Sequence, residues 1–548
     1  MEKIWIKNYP NNIPPEISQS KHNSLQDLFY ETTELFSKKT AFRNFNSSIT
    51  FDDTKKYSEK FASYLQNNLK IKKGTKVAIM LPNLMTYPVV LFGSFIAGAI
   101  VINVNPLFKQ RELLDVLHDS EPEIIIVLDK FLNELEPVIN KTKLRHIIVC
   151  SVTDLLNPIM KLLIKSVLFM KGETVALKNN MIRFKDTIKN KFALEKVSIG
   201  RDDIAFLQYT GGTTGKSKAA VLTHNNLLSN IDQVYIWIKS YVSEGKEIIL
   251  TALPLYHIFS LTVNCLTFFK LGAENLLITN PRDIKRFVNT LEKNKFTVVT
   301  GVNTLFNLLI SNSDFKKIDF KKLKFAVGGG MAVLKDTAEK WKEITGTHII
   351  QGYGLTETSP VIAINIITDK YNGFIGLPMP STEISIRNDN EKELQIDNEG
   401  ELCVKGPQVM TEYWNSKEET KIAFTKDGYF KTGDIAKINE DGFLKIVDRK
   451  KDMIISSGFN VYPGEIEDYV TRHPDILEAG VIGITDKNRG ESIKLFIVTN
   501  NPNLKKGEVI SFCKKGLTIY KIPKYIEFIK ELPKNNVGKI LRRKLREI

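Results

Sequence analysis

Residues 209–226 read YTGGTTGKSKAAVLTHNN. Gly211, Gly212 and Gly215 can take backbone angles closed to other residues, which lets amide N–H groups converge on one anion. Thr210, Thr213, Thr214 and Ser217 add hydroxyl donors, and Lys216 and Lys218 add positive charge. This is phosphate chemistry, but it is not a Walker A loop. Gly215-Lys216-Ser217 fits that pattern, while the position that must open it with glycine is Thr210. The bland alternative is a polar loop joining a strand to a helix, since Gly, Ser, Thr and Lys cluster in loops generally.

The elements that must position these residues follow from the apolar pattern. Runs such as VAIML (77–81), EIIIVL (123–128), HIIVC (146–150), FTVVTGV (296–302) and KFAVGGG (324–330) alternate with helical segments. Such alternation predicts βαβ units and mostly parallel sheets, whose ligands gather beyond the strands' carboxyl ends. The loop at 211–215 and the triple Gly328-Gly329-Gly330 both follow apolar runs, as parts of one shared site would. From about residue 375 the texture becomes short antiparallel strands with Asp-Gly turns at 427–428 and 441–442. After Arg449 a compact α/β tail, 450–548, has the length to fold alone.

Two apolar segments raise the question of a membrane. Residues 89–102, VVLFGSFIAGAIVI, carry no charge. As a helix they rise about 21 Å, short of the ~30 Å hydrocarbon core. A buried helix running into a buried strand is expected. Residues 157–172, NPIMKLLIKSVLFMKG, place Lys161 and Lys165 four apart on an otherwise apolar helix. Such a helix either lies on an anionic membrane or packs into the core with two snorkelling lysines.

The chain has 548 residues, enough for two or more domains. Its 43% hydrophobic and 25% charged content is that of a soluble globular protein. The net charge of +15 suits phosphorylated ligands or anionic lipid. No zinc finger or RNP-type aromatic motif accompanies it, so nucleic acid is not an expected partner. Cys150, Cys265, Cys403 and Cys513 are scattered, which suits a reducing compartment and argues against disulfides or structural zinc. The opening MEKIWIKNYPNNIPPEI lacks the apolar core of a signal peptide. A cytoplasmic protein is expected, with the inner face of the cell membrane as a surface it meets peripherally.

Further motifs follow in order: LPLYHIFSLT (253–262), GGGM (328–331), QGYGLTET (351–358), YFKTGD (429–434), IVDRKKDMIISSGFNVYPGEIE (446–467) and LPKNNVGKILRRKLR (532–546). Together, and over nearly the whole chain, they resemble the adenylate-forming superfamily of acyl-CoA synthetases, firefly luciferase and peptide-synthetase adenylation domains. DRKKDMI, SGFNVYPGEIE, NVGKILRRKLR and INVNPLFKQREL (102–113) look most like the bacterial long-chain fatty acid–CoA ligases. The resemblance implies an α/β fold: a large N-terminal domain, 1–449, of two layered α/β subdomains plus a small distorted β-barrel. A small mobile α+β C-terminal domain, 450–548, caps it, with a hinge near Lys451. It also implies a reaction in two steps. A carboxylate attacks the α-phosphate of MgATP to give acyl-AMP and pyrophosphate, and the thiol of CoA then displaces AMP.

By that resemblance Thr210, Gly211, Gly212, Thr213, Thr214, Gly215 and Lys218 hold the departing phosphates. Glu357 binds Mg²⁺, a hard cation suited to carboxylate and phosphate oxygens, and Thr356 beside it contacts phosphate or a Mg²⁺-bound water. Tyr353 offers a flat face to adenine, and Gly328, Gly329 and Gly330 permit close approach on its other side. The backbone of Gln351 and Gly352 reads the amino edge, while Asp434 and Arg449 contact the ribose. Lys539 bridges the attacking carboxylate and the α-phosphate; its plain alternative is a solvated basic tail. Rotation about Lys451 withdraws Lys539 and brings Gly458 to the pantetheine path.

His257 is expected to line the substrate site. A tryptophan gate that some relatives carry four residues later is Leu261 here, so chain entry needs another control. Ala219 replaces the glycine most relatives carry after the loop lysine. A carrier-loading acyl–AMP ligase would carry an insertion near the hinge, and none stands in 446–460. A nucleotide-binding lipid sensor with a dead site is disfavoured because every expected catalytic position is filled. ATP, CoA and a fatty acid are the expected ligands. Homodimerisation is left open, as are acyl length and pathway.

Overall fold

The computed structural model describes residues 2–173, 181–210, 217–367, 370–456, 459–486, 490–535 and 538–548. Among them the chain forms four sheets.

The first large sheet has seven strands in the order Met181–Arg183, His146–Cys150, Ile124–Leu128, Lys76–Met80, Ile100–Asn103, Ile204–Thr210 and Lys218–Thr223. All neighbours are parallel except the last pair. The apolar runs read as continuous because both faces are covered. In Lys76–Met80, Val77 and Ile79 join one core, and Ala78 and Met80 join another on the opposite face.

The second large sheet has nine strands. Five central ones, Phe325–Gly328, Val298–Gly301, Ile248–Thr251, Glu274–Leu277 and Thr40–Asn44, pair in parallel. Ile349–Gly354 joins them in parallel through Phe325–Gly328, then turns antiparallel to Val361–Ile364. The helices Leu25–Leu35, Phe51–Asn67 and Thr86–Ile96 put their apolar residues into one core shared with strands of both large sheets. The apolar run at 89–102 resolves into the helix Thr86–Ile96, buried at every residue, and the strand Ile100–Asn103.

The smaller sheets follow the change of texture. Glu383–Arg387, Gly400–Lys405, Phe430–Ile438 and Leu444–Arg449 make a four-stranded antiparallel sheet. Its apolar residues join the core beside the nine-stranded sheet. Beyond the short turn Lys450–Asp452 the chain enters a five-stranded sheet centred on the hairpin Ile476–Asp486 and Gly490–Thr499. The buried apolar clusters there draw only on residues after 450.

The helix Pro158–Met170 breaks the pattern. None of its residues is buried. The core-packing reading of 157–172 is therefore wrong.

Candidate active site

Strands Ile204–Thr210 and Lys218–Thr223 are antiparallel, with Thr210 opposite Lys218. The glycine-rich segment is thus the tip of a hairpin, not a strand-to-helix loop, which separates it from the P-loop architecture on topology as well as sequence. Gly211, Gly212, Thr213, Thr214 and Gly215 at the tip lie outside the described residues, as does Gly458. Thr210 and Lys218, where the hairpin closes, line a cavity of ≈790 Å³.

This cavity also takes Gly329, Gly330, Gly352, Tyr353, Thr356, Glu357, His257, Arg449, Lys451 and Lys539. Residues from the hairpin, the nine-stranded sheet, the four-stranded sheet and the C-terminal unit therefore meet around one space. Its polar part carries six cationic side chains (Lys218, Lys431, Arg449, Lys450, Lys451 and Lys539) against Glu357, Glu401 and Glu419. That balance favours a polyanion.

Lys539 is the C-terminal unit's contribution. It follows a tight turn in which the Asn535 N–H donates to the Lys539 carbonyl and the Lys539 N–H donates to Asn535 Oδ1, each at 2.8 Å. Gly538 in this turn has φ +85°, and a Cβ there would collide with Thr304 Oγ1 of the large domain. Glycine thus lets the turn seat against the start of the helix Asn303–Ile310. Burial, reinforced by Arg449, lowers the Lys539 pKa to about 8. A solvated basic tail is excluded in this arrangement.

Around Lys539 the charges are ordered. Arg449 Nε bonds Asp434 Oδ1 at 2.8 Å, and the Tyr353 hydroxyl donates to Asp434 Oδ2. Burial first, and the Asp434 charge next, keep the Tyr353 phenol protonated. The Tyr413 hydroxyl donates to Glu357 Oε1 at 2.7 Å and fixes that carboxylate's orientation. Lys218 pairs with Glu419 and stands 5.4 Å from the centre of the Tyr413 ring. His257 accepts from the Phe259 N–H through Nδ1 at 3.3 Å. Burial, then Lys539, pushes its pKa down to about 4, so it is neutral at physiological pH.

Four residues expected at the site stand back from the cavity lining. Leu261 is fully buried in the core, within the π-helix Ser260–Thr267, and is not among the residues that line this cavity. Gly328 packs against Val333 and Ile349. Gln351 accepts Asn365 N–H through its carbonyl at 2.9 Å and donates from Nε2 to the Phe374 carbonyl at 3.0 Å. Asp434 is 2% exposed, behind Tyr353 and Arg449. Its proximity is electrostatic.

An apolar limb completes the cavity. Val234 and Ile238 come from the helix His224–Ile238, Val263 from the π-helix, and Val298, Phe325 and Val327 from adjoining strands. Phe268 and Ile364 extend it. None of these was singled out in the sequence, because each reads as ordinary core. Tyr413 also went unnoticed, having no motif around it. Gly538 was legible as a turn glycine beside Lys539, though its collision partner was not.

Comparison with known proteins agrees along the full length. Residues 29–414 match the model for the AMP-binding enzyme family, and 465–539 match that for the AMP-binding enzyme C-terminal domain. The chain is 46% identical over 552 residues to the long-chain-fatty-acid–CoA ligase of Escherichia coli O157:H7, covering 100% of this chain and 98% of that protein. The Bacillus subtilis (strain 168) protein of the same name is 37% identical over 563 residues, with the same coverage. Among solved structures, ATP-bound MatB from Rhodopseudomonas palustris superposes with a TM-score of 0.83 at 25% identity, covering 96% of this chain and 99% of that one.

Proposed function

The chain belongs to the AMP-binding enzyme family, and on that premise we propose that it is a long-chain fatty acid–CoA ligase working in two steps. The observation that carries this reading is the continuity of one cavity. A cationic end holding Lys539 runs into a limb lined by Val234, Ile238, Val263, Val298 and Phe325. A carboxylate with a long apolar tail and a nucleoside triphosphate fit such a space together.

In the first step a carboxylate oxygen bonds to the α-phosphorus of ATP, and the bond to the β-phosphate bridge breaks. Pyrophosphate leaves. Lys539 sits between the two anions as an ammonium, offsets their repulsion and holds them in line. Its lowered pKa reports burial first, and then the nearby charges of Arg449, Arg542 and Lys451. The incoming anions restore its proton. Thr210, Lys218 and the hairpin tip hold the departing phosphates, with Thr356 beside them. Tyr353, between Gly329–Gly330 and Gly352, takes the adenine, and Arg449, held by Asp434, sets the ribose.

Glu357 fits Mg²⁺: it is an oriented carboxylate at the phosphate end, and Mg²⁺ on nucleotides needs only one or two such ligands. Bound there, Mg²⁺ would neutralise phosphate charge.

In the second step the CoA sulfur attacks the acyl carbonyl and AMP leaves. Lys539 must first withdraw to open a path. The turn Lys450–Asp452, lying between two separately cored units, is where rotation of the 450–548 domain would occur, with Lys451 as hinge. Neutral His257 borders the acyl carbonyl. None of the four cysteines is needed: all are free and buried.

The test is pyrophosphate release and thioester formation by purified protein with MgATP, CoA and acids of graded length. Acyl-CoA formation peaking at long chains supports the reading. A peak at short or aromatic acids overturns the substrate, and pyrophosphate without thioester overturns CoA as acceptor.

A further inference from the structure

The helix Pro158–Met170 is 13 residues long, or about 20 Å. It is the only described helix of eight residues or more that buries no residue. Ile159, Leu162, Leu163, Val167, Phe169 and Met170 are between 44% and 76% exposed. Single exposed apolar residues need no explanation, but six on one short helix form a patch that does. The helix is nonetheless firmly begun. Asn157 Oδ1 accepts the Met160 N–H at 2.9 Å, the Asn157 N–H donates to Ser47 Oγ at 3.1 Å, and Asn157 Nδ2 donates to the Asn46 carbonyl at 3.2 Å. This ties the helix to the edge of the nine-stranded sheet.

Its two sides differ. Met160, Ile164 and Leu168, spaced by four, are half-buried and form the inward row. At about 100° per residue, Ile159, Leu162, Leu163, Phe169 and Met170 fall on the outward side. Lys161 and Lys165 fall between the two. Lys171 ends the helix, and no acidic residue stands anywhere in 157–172. An outward apolar face edged by cations, with no carboxylate, suits a surface that is apolar inside and anionic at its rim. The same face of a second copy would bring the same lysines and no opposite charge. The helix is too short to span a bilayer, and no described helix is long and apolar enough to do so.

We propose that the helix Pro158–Met170 is a membrane-docking element that lies flat in the headgroup region of an anionic phospholipid bilayer. Ile159, Leu162 and Phe169 enter the acyl boundary and Lys161 and Lys165 meet the headgroup phosphates. The inference does not depend on the ligase reading, since it uses no residue of the cavity.

The test is flotation of the full chain with vesicles of phosphatidylglycerol and phosphatidylcholine. Binding is expected to anionic vesicles and to weaken with salt. Lys161→Gln with Lys165→Gln should reduce it roughly thirtyfold. Leu162→Ser with Phe169→Ser should abolish it, with the unfolding temperature and turnover of micellar acid unchanged. Equal binding to pure phosphatidylcholine, unaltered binding by both double variants, or no binding by the parent would each overturn the proposal. So would a concentration-dependent dimer that only the serine variant dissolves.

Discussion

The two ends of the cavity are built on opposite principles. At the cationic end almost every side chain is held by a partner: Arg449 by Asp434, Tyr353 by Asp434, Lys218 by Glu419, Glu357 by Tyr413. Two separately cored units meet there, and Lys539 is delivered from the smaller. The apolar end is made by the large domain alone, with side chains that form no directed bonds. One end is therefore sensitive to geometry and to domain closure, and the other to volume.

The largest expected effect is at the cationic end. Lys539→Ala should lower adenylation, read as pyrophosphate release, by about 10²- to 10³-fold. Thioester formation from supplied acyl-AMP should change little, because the lysine is withdrawn at that step. Equal loss in both half-reactions would break the division of labour. At the apolar end, Val263→Phe should cut kcat/KM for the longest acids about 10- to 100-fold while sparing short ones. A uniform loss across chain lengths would mean that the limb is not the acyl site.

Gly538→Ala probes closure itself. Its positive φ and the collision with Thr304 should disfavour the seated turn and slow adenylation about tenfold. Chain-length preference should stay unchanged, since the apolar end does not move. A shifted preference would show that closure shapes both ends.

The smallest effect is protonic. In the folded protein Lys539 titrates at about 8, below its ordinary 10.5. Between those values the unfolded chain holds the extra proton, so stability rises with pH across that window, and the cost of the buried ammonium is fully present below about pH 8. Bound phosphates restore the charge. ATP binding near pH 8.5 (about half a unit above the folded pKa) should therefore take up a fraction of a proton. Calorimetry in buffers of different ionisation enthalpy would read it, and Lys539→Ala should remove it.

The cationic end was legible in the sequence because its parts stand in distinctive wording: Thr210 and Lys218 flanking the glycine-rich segment, GYGLTE, the Thr-Gly of TGD, and Lys539. The apolar end was not, because Val298 or Phe325 is indistinguishable in type from a residue that fills a core. Leu261, which stands where some relatives carry a tryptophan gate, is buried in the core. The two apolar helices make the same point. Residues 89–102 and 157–172 are both rich in apolar residues, the second with three lysines among them, yet Thr86–Ile96 is buried at every residue and Pro158–Met170 at none.

By itself the amino-acid sequence determined the strand and helix alternation, the change of texture near 375 and the phosphate chemistry. Those depend on residue type and short-range spacing. Only the tertiary structure decided which apolar surfaces find partners, that Thr210 and Lys218 pair as antiparallel neighbours, and that burial lowers the Lys539 pKa to about 8. These depend on what lies beside a residue from distant parts of the chain, since desolvation and charge–charge energies are set by neighbours in space.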